Sequence, residues 1–196
     1  MPSTGLQTNK IKLSKIKPEI VEMIKGFDCT GDDLAAKSRE LTLLLLQESE
    51  YPFSRRQFTP GHITCTAVVL DPRRERVLLM FHHRLLRWLL PGGHCEGDDE
   101  SIAGVASREA VEETGVEIDA RSAAKLVGID VHGIPPKKKE PYHLHHDLIF
   151  SFTARAETIK VTPEAREVTW CGFSELGRYG VAESIVRSVI RACRML

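Results

Sequence analysis

Apolar positions recur at helical spacing in PEIVEMIKGF, residues 18–27, and predict a helix in which Pro18 can sit in the first turn. CTGDDLAAKSRELTLLLLQESEYPF then reads as a turn followed by a second helix from about Asp32 to Glu48, ended before Pro52. Together they predict a helical hairpin. Its leucine stripe must be buried either against the main domain or against a second subunit, so a homodimer is one arrangement open to it. After Pro60-Gly61 the pattern changes. HITCTAVVLD (62–71) is β-branched and half alternating, DPRRER is a polar turn, and VLLMFHH (77–83) is a second strand, which makes a β-hairpin. AKLVGIDVHGI (124–134) and YHLHHDLIFSFTARA (142–156) read as further strands joined by the exposed loop PPKKKEP. EVTWCGFSEL (167–176) offers one more short strand, and ESIVRSVIRACRML (183–196) a final amphipathic helix. The sum is an α/β chain: a helical extension over residues 1–58 and an α/β domain over 59–196.

A chain of 196 residues buries one good core, so a single domain with an elaboration fits better than two full domains. Lys and Arg total 27, as do Asp and Glu, and this balance points away from nucleic acid and from an anionic membrane surface. The five cysteines are scattered without a CxxC pair, as reduced thiols are, and do not make a zinc set. The N-terminus is polar and basic, and LTLLLL (41–46) is far too short to span a bilayer. These features lead us to expect a soluble cytoplasmic protein.

The chemistry concentrates in PGGHCEGDDESIAGVASREAVEETGVEID, residues 91–119. Gly115 stands where a helix needs a left-handed residue after its end, and Asp98 and Asp99 are placed to cap or charge-stabilise its start, so residues 100–114 are predicted helical. Glu109, Glu112 and Glu113 then fall at i, i+3 and i+4 and project from one face. Like charges so spaced cost roughly 0.2–0.5 kcal/mol per solvated pair, and more when partly buried, so they call for a counter-charge. Mg²⁺ answers that need, since it takes a few carboxylates and leaves its other positions to water and substrate phosphate. The Pro91-Gly92-Gly93 loop can turn sharply and bring a carbonyl near Gly93 to such an ion. Arg108 can hold one of the carboxylates by a forked hydrogen bond.

This stretch resembles the Nudix box, G-x5-E-x7-R-E-U-x-E-E-x-G-U with U a bulky aliphatic residue. From Glu100 onward the spacing matches through Arg108, Glu109, Glu112, Glu113, Gly115 and Val116, with Ala110 smaller than the usual U. Upstream, six residues rather than five separate Gly93 from Glu100, and we place the extra one in HCEGDD. PFSRRQFTPGHITCTAVVLDP, HHRLLRWLLPGGH and IPPKKKEPYHLHHD are similar to a bacterial Nudix group that carries a helical N-terminal extension. The resemblance implies the Nudix fold, a mixed sheet flanked by helices. It also implies Mg²⁺- or Mn²⁺-dependent hydrolysis of a nucleoside diphosphate linked to another moiety. By position, Glu109, Glu112 and Glu113 would hold the metal with the Gly93 carbonyl, Arg108 would orient the glutamates, and Glu100 would support the loop–helix junction. The general base varies within the family, and Glu109, Glu140, Glu164 and Glu167 all stand as candidates. Two rival readings share the fold: a module that binds a nucleotide without turning it over, and an isomerase of isoprenoid diphosphates. The intact glutamate set weighs against the first, and the lack of the isomerase's cysteine strand motif against the second.

Outside the box, Arg84 and Arg87 lie beside the glycine loop and are suited to substrate anions. In strand YHLHHDLIF, His143, His145 and Asp147 share one face and His146 takes the other. That face reads as a wall of the substrate cleft or as hydrogen-bonded core histidines in preference to a zinc site. Lys137, Lys138 and Lys139 either gather phosphates or tip a solvated loop, the commoner fate of a charge run. Trp88 and Trp170 read as core residues, and Cys95 as incidental.

Overall fold

The computed structural model describes residues 12–137 and 139–195, so Lys138, the first eleven residues of the predicted extension and Leu196 at the end of the predicted last helix lie outside the described residues. Three helices open it: α1 (Lys12–Lys15), α2 (Lys17–Lys25) and α3 (Asp33–Glu48). The strands are β1 (Gly61–Leu70), β2 (Arg76–His82), β3 (Trp88–Leu89), β4 (Gly92–His94), β5 (Lys125–Ile134), β6 (His143–Thr153) and β7 (Ala165–Gly172). Helix α4 (Ile102–Thr114) follows β4, and a 3-10 turn (Phe173–Tyr179) leads from β7 to α5 (Glu183–Arg194). The strands form one mixed sheet in the order β3-β2-β1-β6-β5, with β4 also paired to β1 and β7 to β2. No helix among the described residues is long and apolar enough to cross a membrane.

The backbone divides into two compact units: Met1–Cys65 with His94–Val105 and Ile129–Leu148, and Thr66–Gly93 with Ala106–Gly128 and Ile149–Leu196. In the first, α2 packs on α3 as the predicted hairpin. Asp32 Oδ1 accepts from Ala35 N at 3.0 Å and so starts α3. The leucine stripe divides: Leu45 and Leu46 are buried, while Leu41 and Leu44 stay exposed. Thr42, also fully buried, donates its hydroxyl to Ser38 O at 2.8 Å and lies 3.2 Å from His146 Nδ1. With its proton spent on Ser38, that hydroxyl accepts from His146, which places the imidazole proton on Nδ1. A Thr42→Val substitution should therefore cost about 1–3 kcal/mol for the orphaned N–H. Differential scanning calorimetry should show Tm falling by roughly 2–4 °C per kcal/mol.

In the second unit, Asp71 closes the turn between β1 and β2 by accepting from Glu75 N at 2.8 Å, Arg76 N at 3.1 Å and Arg76 Nε at 2.9 Å. Val68, Leu70, Val77, Leu79, Val127 and Ile149 form the core with Ile185, Val189 and Ala192 of α5. Ser188 of α5 occupies the space beside Gly128 where a Cβ would otherwise sit.

Three elements depart from expectation. β4 is paired backbone where the sequence reads as a loop, because a stretch this short carries no alternation to detect. The segment 167–176 is not all strand: it leaves the sheet at Gly172 and turns, burying Leu176. Finally, Ser101 caps α4, its Oγ accepting from Gly104 N at 3.0 Å. Asp99 Oδ2 accepts instead from Glu96 N at 2.7 Å, within the preceding loop.

Candidate functional site

Both ends of α4 are fixed locally, and this sets where its glutamates point. Gly115 adopts φ +63°, the predicted left-handed stop. The last carbonyls of the helix, which have no partner within it, are taken from outside: Thr162 Oγ1 donates to Glu113 O at 2.8 Å and Lys160 N to Thr114 O at 2.7 Å. Ile102, Val105, Ala106 and Ala110 make up its buried face.

The three glutamates do not share one environment. Glu113 is only 4% exposed and Glu112 stands out in solvent, with Glu109 between them and mostly covered. Glu113 Oε2 accepts from Gly92 N at 2.8 Å, tying the helix to the glycine loop. Burial pushes the Glu113 carboxyl up to about 8; Gly92 opposes the shift, while the negative charge of Glu109 and Glu164 adds to it. Burial also raises Glu109, against the pull of Arg108. Arg108 holds two carboxylates rather than one, as Nη1 donates to Glu109 Oε1 at 3.0 Å and to Glu112 Oε2 at 3.1 Å. At Gly93 an added Cβ would stand 2.5 and 2.6 Å from the Glu109 carboxylate oxygens, so only glycine permits this approach.

Glu164, in the turn before β7, is the general-base candidate that adjoins Glu113 and Glu109. Glu167 is exposed on β7 opposite Phe81 of β2. Glu140 belongs to the other unit, where its backbone pairs with Lys137 and its charge acts on His62. Arg84 and Arg87 sit on the exposed tip between β2 and β3. Glu100 does not buttress the junction from within; its exposed carboxylate pairs with Lys12 Nζ of α1 at 2.9 Å. Lys137 and Lys139 are exposed. Trp88 packs against the core, edge-on to Tyr179, and Trp170 Nε1 donates to Glu157 O at 2.9 Å.

His143 and His145 of β6 belong to a larger group in the first unit that sequence reasoning missed. His62 at the start of β1 has ring centroids of His94, His143 and His145 within 5.1 Å, and His132 of β5 lies 5.7 Å from His145. Burial, then mutual repulsion, lowers His94 to about 3 and His145 to about 2, so these rings are neutral near pH 7. Asp147, two residues on from His145, accepts from Thr64 Oγ1 at 3.1 Å. The one local clue was a histidine directly after Pro-Gly-Gly; nothing local joined it to His62.

Over 52 residues the chain is 44% identical to a CMP-5'-(N-acetyl-N-hydroxy-3-aminopropyl)phosphonate hydrolase from Streptomyces rubellomurinus (strain ATCC 31215), a match covering 24% of this chain and 25% of that one. The chain thus spans about a quarter of that curated relative's length. The MutT protein of Bacillus halodurans superposes with a TM-score of 0.52 at 25% identity, over 67% of this chain and 81% of its own. The NUDIX domain of Shewanella oneidensis NrtR, solved with ADP ribose, superposes with a TM-score of 0.53 at 18% identity, over 76% and 97%. A profile of the NUDIX domain matches residues 60–193, and with the glycine loop and glutamate helix seated as described, the chain belongs to the NUDIX family.

Proposed function

We propose that residues 59–196 form a hydrolase of phosphoric anhydride bonds that cleaves a nucleoside diphosphate linked to a second moiety, and that residues 1–58 are its helical extension. The reading is carried by one observation: Glu109, Glu113 and Glu164 are gathered beside the Gly92-Gly93 loop with burial raising the two helix carboxylates. Such a set fits a divalent cation, because oxygen ligands repelling one another across a loop without side chains form the cradle that a small hard ion needs. Glu109, Glu112, Glu113 and the Gly93 carbonyl would hold Mg²⁺ or Mn²⁺, which supplies charge neutralisation at the phosphoryl oxygens.

The chain's own groups have distinct parts. Arg108 holds Glu109 and Glu112 in register. Glu164, exposed yet beside Glu113, takes the proton from the attacking water; the water oxygen bonds to phosphorus, and the bridging P–O bond breaks with its electron pair leaving on the departing phosphate. Arg84 and Arg87, on their exposed tip, are the groups assigned to the substrate.

The test is product release from ADP-ribose, nucleotide sugars, CMP-linked phosphonates, dinucleoside polyphosphates, coenzyme A and nucleoside triphosphates, each with Mg²⁺ and with Mn²⁺. ADP-ribose and a CMP-linked phosphonate lead the panel because a structural neighbour was solved with the first and a relative is named for the second. Metal-dependent turnover supports the proposal; nucleotide binding without product replaces it with a binding module. Gly93→Ala should leave the fold intact, since the obstructing group is the end of a flexible side chain. By displacing Glu109 it should lower kcat/KM by about 100-fold, the usual effect of moving a catalytic group by an ångström. Steady-state kinetics alongside a thermal melt checks both halves.

A further inference from the structure

The histidine group plays no part in the carboxylate chemistry, and its geometry asks for a role. His62, His94 and His145 come from three separate stretches of chain, yet one ring nitrogen of each lies within 4.8 Å of the others. Their ring centroids are 4.9–5.1 Å apart. His62 shows the preparation most clearly. Its Nδ1 lies 2.9 Å from Gln57 O, and since a carbonyl only accepts, the ring proton sits on Nδ1. The lone pair is therefore on Nε2, which is fully buried and has no hydrogen-bond partner among the described residues, in a side chain 1% exposed.

Buried polar atoms are almost always hydrogen-bonded, so an unpaired acceptor facing this interior needs an explanation. An imidazole anchored through one N–H to a backbone carbonyl, with its other nitrogen left bare, is how metal-ligating histidines are held. We infer that His62, His94 and His145 form a binding site for a first-row transition-metal ion of the Zn²⁺ class, with a fourth position open to water or an anionic oxygen. Imidazole nitrogens select Zn²⁺ and its neighbours, whereas Mg²⁺ demands oxygen, so this ion is chemically distinct from any held by the box carboxylates. Zn–N bonds of about 2.0–2.1 Å put tetrahedral nitrogens roughly 3.3 Å apart, so each ring closes by less than about 1 Å. The surroundings support that closure. His143, its Nδ1 donating to Pro141 O at 2.8 Å, stacks on His62, and Phe58 packs edge-on to both rings. His143 is thus a wall of the site, and Asp147, which accepts from Thr64 Oγ1, lies outside the group of three nitrogens.

The full chain, stripped with chelator and titrated with Co²⁺, decides the matter. One equivalent should produce the visible absorption of four-coordinate Co²⁺, and Zn²⁺ should displace it. His94→Ala and His145→Ala should each weaken binding at least tenfold, while Glu112→Gln leaves the band in place. Zinc-edge X-ray absorption on the unmodified protein needs no variant to fold, and should show a nitrogen shell with outer scattering from three imidazoles. An oxygen-only shell, no cobalt band, or a band surviving in both histidine variants overturns the site. An inactive hydrolase that keeps the band leaves this inference standing, and an active one that lacks it does not.

Discussion

Replacing Glu113 by Gln is expected to lower nucleotide turnover at least about 100-fold, the scale set by loss of one charged group that acts on the transition state. The fold should survive, since an amide oxygen still accepts from Gly92 N, the 2.8 Å bond of the native carboxylate. The same variant should alter the pH dependence of stability measured in the presence of a chelator. Glu113 is raised to about 8 by burial, whereas an unfolded chain titrates near the ordinary glutamate value of about 4.3. Between those values the folded protein binds the extra proton. The stabilisation is complete below the unfolded value and is lost as pH climbs toward 8, at up to roughly 1.4 kcal/mol per pH unit for one proton. Gln carries no such proton, so denaturant titrations from pH 5 to 8 should show a slope in the native chain that the variant largely removes. Equal slopes would mean that Glu113 is ionised throughout.

Gly61→Ala should produce the largest loss of stability. A Cβ there would overlap the backbone carbonyl group of Leu144, which unlike a side-chain tip cannot rotate away. Leu144 N donates to Pro60 O at 3.0 Å, so the β1 and β6 backbones are already joined at this point and one of them must shift. Overpacking costs about 1–3 kcal/mol even where side chains can adjust, and an immovable neighbour puts this change at or above the top of that range. Thermal melts should show Tm lower by roughly 6–12 °C. A shift below about 2 °C would show that the strands separate freely here.

The contrast between the two sites shows what a sequence makes legible. The glutamate helix is local: its period, Gly115 and the Pro-Gly-Gly loop lie within one short stretch, so its position and its three carboxylates could be read directly. Their unequal burial could not, because it depends on how much neighbouring chain covers each position of α4. The histidine group shows the limit more sharply. Alternation along β6 correctly placed His143 and His145 on one face and His146 on the other, where it meets Thr42 of α3. His62 and His94 join that face only because the sheet orders β6 beside β1 and β4 pairs with β1, and strand order is not written in any window of residues. Which residue caps α4 was not legible for a subtler reason: Asp98, Asp99 and Ser101 are all competent caps, and only the path of the loop selects among them.

The pairing of Lys12 with Glu100 carries a consequence of another kind. Both side chains are at least half exposed, so dissolved ions reach the bond between them. At physiological ionic strength charges are screened over about 8 Å, and at 1 M salt over about 3 Å. The concentration of an inert salt thus becomes a control on how firmly α1 holds the start of the box. Rates measured in dilute buffer and in concentrated salt would come from molecules that differ at this corner.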